Sequence, residues 1–346
     1  MTIRSIFKMA SLMAIMMLAA CSSKLQLPTY EDASQSRALM DDSLSIQYLG
    51  VGGHIMSYKG TRIMTAPSFS NPHFMFAGPF FPMSVNEEKV DKFIPDVSDV
   101  EMILVGHAHY DHLLDVPYVM DRYARKAHVY GSNTMANTLL PVMKKERVHA
   151  LNDKMGSIER EGEWIYSLSG KVRIMPLKAS HAPHIMGIKF MGGNHDKPLS
   201  NLPWHAFGWK EGQTLAFIID FLDDDKTVAH RIFYQDAASS EPDGLVPVMA
   251  DGKAIDIAIL CPAAFTQVDH YPESIVTNTE AQHFILGHWE DFFANNLAGE
   301  QRFVRLTNQH EFIERLEGSM PSDSTWTLPA LFSTQHFAKN GIIRKP

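Results

Sequence analysis

The stretch that most constrains what this 346-residue chain can fold into is Gly106-His107-Ala108-His109-Tyr110-Asp111-His112. Three imidazoles and a carboxylate fall between His107 and His112, directly after the apolar run Met102-Ile103-Leu104-Val105. The run predicts a buried strand, and Gly106 predicts the turn that ends it. His107, His109 and Asp111 alternate along the chain. A helix would scatter them around its axis, whereas an extended or looped segment lets them converge. Neutral imidazole and carboxylate together suit divalent transition metals, zinc foremost.

The form His-x-His-x-Asp-His resembles the signature of the metallo-β-lactamase superfamily. Three later segments can be matched to it in order. Val172-Arg173-Ile174-Met175-Pro176-Leu177 leads into Lys178-Ala179-Ser180-His181-Ala182-Pro183-His184, where His181 fits the family's third histidine best and His184 competes for the place. Ile232-Phe233-Tyr234-Gln235-Asp236 has the strand-to-Asp form, with Gln235 where a small residue is usual. Phe284-Ile285-Leu286-Gly287-His288-Trp289-Glu290-Asp291 resembles the closing segment. One departure is Ala66-Pro67, where relatives often carry Asp-Pro. The resemblance implies that His107, His109 and His181 hold one divalent metal ion, that Asp111, His112 and His288 hold a second, and that Asp236 bridges them. Zn2+ is expected, with Fe or Mn as alternatives. The implied fold class is α/β, an αββα four-layer sandwich of the metallo-β-lactamase type, with residues 43–346 as one catalytic domain of two similar halves.

The N-terminus is a separate object. Arg4 and Lys8 form a positive region, and Met9 to Ala20 is an uncharged apolar stretch too short for an ordinary membrane span. It ends in Leu18-Ala19-Ala20-Cys21, which resembles a bacterial lipobox; a plain cleaved signal peptide is the alternative. Residues 1–20 are therefore expected to be a lipoprotein signal peptide, Cys21 the lipidated residue, and residues 21–42 a polar tether. The expected location is the bacterial cell envelope, with Ser22 after the Cys pointing to the outer membrane facing the periplasm. If Cys21 carries lipid, only Cys261 remains and no internal disulfide is available. Cys261 follows a buried-strand pattern and reads as a packed core thiol, with a soft-metal ligand as the sharper alternative. The formal net charge is −8 and no basic run is evident, which argues against nucleic acid as a partner.

Strand-like runs open at Ser45–Leu49, His54–Tyr58 and Thr61–Thr65, and recur at 128–130, 172–177, 215–221, 231–234, 255–260, 283–286 and 325–332. Asp115 can N-cap a helix with Pro117 in its first turn; further helices are expected over 132–140 and 308–316. His205 lies in an insertion from about Ile185 to Gly212 and is expected either to touch substrate or to pack within an ordered loop. Phe69, Phe74, Met75, Phe76, Phe80, Phe81 and Met83 make an aromatic-rich loop. It can fold onto the core, wall an acyl chain (with Phe76 and Phe80 as contacts), or face a membrane.

Two divalent metals sharing a water would activate it for attack on a carbonyl or phosphorus, with Asp111 orienting it and shuttling a proton. The segments around His181, Asp236 and Gly287-His288-Trp289-Glu290 resemble the branch containing N-acylphosphatidylethanolamine phospholipase D and L-ascorbate-6-phosphate lactonase. The expected function is thus a binuclear metal-dependent hydrolase of an ester or phosphodiester, acting on a small-molecule or lipid-like substrate. A lactonase or β-lactam-type amidase is the runner-up, and a non-catalytic metal-binding envelope lipoprotein is the alternative outside enzymology.

Overall fold

The computed structural model of the chain describes residues 23–31 and 43–342, so the leader and Cys21 lie outside the described residues. The first half contributes β1 (Ser23–Lys24), β2 (Leu44–Gly50), β3 (Gly53–Tyr58), β4 (Thr61–Thr65), β5 (Val100–Leu104), β6 (His128–Gly131), β7 (Val148–Ala150) and β8 (Ile165–Tyr166). The second contributes β9 (Val172–Ala179), β10 (Thr214–Leu222), β11 (Val228–Tyr234), β12 (Ile257–Leu260), β13 (His283–Leu286), β14 (Arg302–Phe303), β15 (Thr325–Thr327) and β16 (Thr334–Phe337). The α-helices are α1 (Glu87–Phe93), α2 (Tyr110–Leu113), α3 (Val116–Arg122), α4 (Asn133–Leu139), α5 (Glu273–Thr279) and α6 (Gln309–Ser319).

Two seven-stranded sheets result, ordered β16-β2-β3-β4-β5-β6-β7 and β15-β13-β12-β11-β10-β9-β8. In the first, β2, β3 and β4 form an antiparallel meander and β5, β6 and β7 add in parallel. In the second, β9, β10 and β11 form the meander and β12, β13 and β15 add in parallel. Both sheets therefore follow the same order of connections.

The strands read as continuous apolar runs because both faces of each sheet are covered. Met102 and Leu104 of β5 join Phe217 and Ile219 of β10 and Ile257 and Ile259 of β12 in the core between the sheets. Ile103 and Val105 point the other way, onto Val116, Val119 and Met120 at α3. Ala216, Ile218, Ala258 and Leu260 meet Ile275, Phe312 and Leu316 of α5 and α6 on the opposite outer face. This period of two, with apolar residues at both phases, builds the four layers helix–sheet–sheet–helix.

Three details differ from the sequence reading. Asp115 precedes α3 but makes no side-chain cap; its carboxylate accepts from the amides of Phe69 and Ser70 at 2.6 and 2.9 Å, fastening the aromatic loop instead. The run at 325–332 is not one strand: Thr325–Thr327 pairs with β13, and after Pro329 the chain crosses to pair Thr334–Phe337 with β2. Residues 23–31, expected within a tether, lie along the domain. Ser23 and Lys24 pair with Phe303 and Arg302, the Gln26 amide donates to Gln309, and the Tyr30 amide donates to the Leu328 carbonyl. Among the described residues, no helix is long and apolar enough to cross a membrane.

Candidate metal centre

Strands β9 and β11 are each antiparallel to β10, and β12 and β13 run parallel to β11, so β9, β11 and β13 all point one way. Their C-terminal ends release His181, Asp236 and His288 at one edge of the second sheet. The C-terminal end of β5 releases His107 and His109, and the short helix α2 carries Asp111 and His112 in its single turn. Two devices bring these groups together. Gly106 donates its amide to Asp236 Oδ2 at 3.1 Å, and a Cβ at that position would lie 2.2 Å from Asp236 Oδ1. Gly52 likewise leaves room for His112: a Cβ there would lie 2.8 Å from both His112 Nδ1 and the Tyr234 hydroxyl.

The seven expected ligands form three overlapping groups, His107/His109/His181, His107/His112/Asp236 and Asp111/His112/His288, each with its ligand atoms within 4.8 Å of one another. His107 Nδ1 stands 3.0 Å from Asp236 Oδ1, and His112 Nδ1 stands 3.3 Å from Asp236 Oδ2. Asp111 Oδ2 is 3.4 Å from both His112 Nε2 and His288 Nε2. His181 stacks edge-on to His107 at 4.5 Å between ring centroids. His184 lies one ring further out, 5.0 Å from His181 and 5.5 Å from His109, and its Nδ1 accepts from the Phe190 amide. His181, not His184, is thus the one that meets the His107–His109 pair.

The donor set passes a direct test of fit. His107 Nε2, His109 Nε2, both ring nitrogens of His112 and His288 Nδ1 are buried without a hydrogen-bond partner. Unpaired polar atoms in the interior cost free energy that a protein seldom tolerates, and a bound cation would repay it. Burial pushes His107, His109 and His181 below the usual imidazole range, and His112 and His184 down to about 3, which leaves neutral rings with lone pairs to donate. Burial would raise Asp111, but the charge of His112 and the hydrogen bond and charge of His288 outweigh it and hold the carboxylate well below its usual range. For His288 burial pulls down, and the hydrogen bond and charge of Asp111, with Glu290 and Asp236 behind them, pull it up on balance. Asp236 is raised, chiefly by burial. The set is nitrogen-rich with two carboxylates, which suits zinc, iron or manganese.

Several supporting residues escaped the sequence reading. Fully buried Glu290 accepts from the Tyr48 hydroxyl and from the Val51 amide, the latter at 2.5 Å, while the His288 amide donates to the Val51 carbonyl at 2.8 Å. The loop after β2 therefore holds the His288 segment in place. The available signal was a carboxylate two residues past an expected ligand, at the end of an apolar run. Glu211 supplies its carbonyl to the Ala108 amide and its carboxylate to Lys189 at 3.1 Å. His205 meets the ring of Trp204 at 4.6 Å, a packing contact within the insertion. Cys261 is a buried free thiol whose pKa is pushed up by burial, as a core thiol would be. In the aromatic loop, Phe69 and Met83 are buried, whereas Met75, Phe76, Phe80 and Phe81 are exposed.

No family model matches the chain. Among solved structures, Igni18, a metallo hydrolase from the archaeon Ignicoccus hospitalis, superposes with a TM-score of 0.50 at 14% identity, covering 85% of this chain and 98% of that one. This chain has the metallo-β-lactamase fold. YhfI from Bacillus subtilis, described as a metallo-β-lactamase fold protein, aligns with a TM-score of 0.49 at 12% identity over 86% of this chain and all of that one. By sequence, the chain is 26% identical over 172 residues to the endoribonuclease YSH1 of Eremothecium gossypii. That stretch is 42% of this chain but only 21% of the relative. On the metallo-β-lactamase fold, the ends of β5, β9, β11 and β13 form the edge where His107 to His112, His181, Asp236 and His288 gather.

Proposed function

We propose that the protein is a binuclear metal-dependent hydrolase acting on a phosphodiester or ester. The observation that carries this reading is that the groups His107/His109/His181 and Asp111/His112/His288 have no member in common but are joined through His107/His112/Asp236, as two adjoining cation positions would be. His107, His109 and His181 would hold one ion, and Asp111, His112 and His288 the other, with Asp236 between them. Two divalent ions there would lower the pKa of a shared water toward neutrality and draw charge from the attacked group.

The chain's own residues do the rest. Asp111 Oδ2, held ionised between His112 and His288, orients the water and takes a proton for delivery to the leaving group. Lys189, beside Glu211 near the mouth, offers charge to an anionic substrate group. The likeness to an endoribonuclease favours a phosphodiester over a carboxylic ester as the bond. A net charge of −8 without a basic run disfavours a polynucleotide. Exposed Phe76 and Phe80 favour a substrate with an apolar part, in keeping with the resemblance to the phospholipase D and lactonase branch. We further propose that Cys21 carries lipid and anchors the protein in the cell envelope, on the outer membrane facing the periplasm.

One purified, metal-loaded sample tests the reading. It is assayed with bis-p-nitrophenyl phosphate, p-nitrophenyl esters of graded chain length, a chromogenic lactone and a chromogenic cephalosporin. Phosphodiester or ester turnover that chelator abolishes and added metal restores is the expected result. Turnover confined to the lactone or cephalosporin would favour the runner-up, and none from fully loaded protein would make it a binding protein.

A further inference from the structure

Five exposed apolar side chains cluster on the aromatic loop and the insertion, near the strand that pairs with the first described residues. Phe80 is 84% exposed, Trp204 59% and Phe76 53%, with Met75 and Phe81 beside them. Phe76 and Phe81 touch at 5.1 Å, and the Met83 amide donates to the Trp204 carbonyl at 2.7 Å, so the aromatic loop and the insertion form one surface. Phe74, in the same loop, lies against Phe293 at 5.1 Å, and Arg305 covers both rings at 4.9 and 5.3 Å. Arg305 and Leu306 also line a cavity of about 280 Å³ with His184 and Met186, at the outer side of the metal centre.

Arg305 is only two residues past β14, and β14 pairs with Ser23–Lys24. Cys21 is two residues before Ser23. The first described residue after the expected anchor is thus clamped to the strand that leads into the rim of the site. An anchor there leaves little freedom for the domain to turn that rim away from the surface that holds it, since two residues span at most about 7 Å.

We propose that the rim of the metal centre docks on a lipid bilayer, with Met75, Phe76, Phe80, Phe81 and Trp204 entering the headgroup–acyl boundary. A lipid on Cys21 would hold Ser23, and with it the uncovered aromatic surface near β14, close to the bilayer, where that apolar surface gains by insertion. Trp and Phe suit this depth because their rings are large and tolerate an interface. The inference rests on the anchored reading of Cys21 but not on the hydrolase reading.

The test uses the lipidated full chain on phosphatidylcholine vesicles, with and without bromine on the acyl chains close to the headgroup. Trp209 and Trp289 are buried, Trp164 and Trp326 are half-buried, and all four are common to both proteins, so the difference between the native chain and Trp204→Phe reports Trp204. Quenching of that difference signal by twofold or more in brominated vesicles is expected. Phe80→Asp should reduce the quenching without lowering Tm, because Phe80 has no core contacts to lose. Vesicle-bound protein whose Trp204 stays equally bright in both lipids overturns the proposal, as does quenching that Phe80→Asp leaves unchanged. Protein that fails to sediment with vesicles overturns it through the anchor. None of these readouts involves turnover, so failure of the hydrolase reading leaves a separate trace.

Discussion

Gly106 donates its backbone amide to Asp236 Oδ2 at 3.1 Å, joining the end of a strand in one sheet to the end of a strand in the other. The bond sits at the centre of the site, since the same carboxylate faces His107 and His112. It requires a residue without a side chain, because a Cβ would lie 2.2 Å from the carboxylate oxygen.

Gly106→Ala should therefore displace Asp236 and weaken metal retention about 10–100-fold, the usual cost of disturbing groups that orient ligands. Competition against a chelating dye measures it. An unchanged affinity would show that Asp236 does not need its present position.

Glu290→Gln should act at a distance from the ions. The buried carboxylate accepts two hydrogen bonds, and an amide can reproduce only one of them without turning a donor toward the Val51 amide. A loss of about 1–3 kcal/mol is expected, read as a fall in Tm or in the urea midpoint. Metal affinity should fall as well, because His288 donates to Val51 in the same loop.

The two candidate third histidines separate cleanly. His181→Ala should lose metal and any turnover together, since His181 meets His107 and His109 directly. His184→Ala should keep the metal and alter only what occupies the mouth. Elemental analysis of both variants decides between them.

His283 sets a pH dependence away from the ligands. It is buried between Thr325 and Thr327, at 2.7 and 2.9 Å, and burial lowers its pKa to about 3. The unfolded chain binds a proton near pH 6.5 and the folded chain does not. Stability from this group is thus fully present above about pH 6.5 and drains away as pH falls toward 3. His283→Gln keeps a hydrogen-bonding side chain but removes the titration. In the presence of chelator, its unfolding free energy from urea titration should fall less steeply between pH 6 and 4 than that of the native chain, by up to about 3 kcal/mol.

The fold was legible where the chemistry is local. Apolar runs such as Ile257–Leu260 announce strands covered on both faces, and the run from Met102 into His112 announces a strand ending in candidate ligands. Partners distant in sequence were not legible. Glu290 and Tyr48 are 242 positions apart, and nothing near either names the other. Asp115 had the composition of a cap, but the Phe69 and Ser70 amides claim its carboxylate, a tertiary contact overriding a local preference. The strand expected at 325–332 concealed a crossing between sheets, because Thr327 and Thr334 suit either sheet equally and only the pairing with β13 and β2 separates them. The matching connection order of the two sheets lies in topology, which residue patterns do not carry.

Seven side chains from four strand ends are proposed to hold two ions. Native mass spectrometry of protein purified without chelator counts them. Two divalent ions per chain are expected, removed by chelator and restored on reconstitution, with Asp236→Ala holding no more than one. A native chain that takes up fewer than two ions after reconstitution, or an Asp236→Ala variant that still holds two, would contradict this.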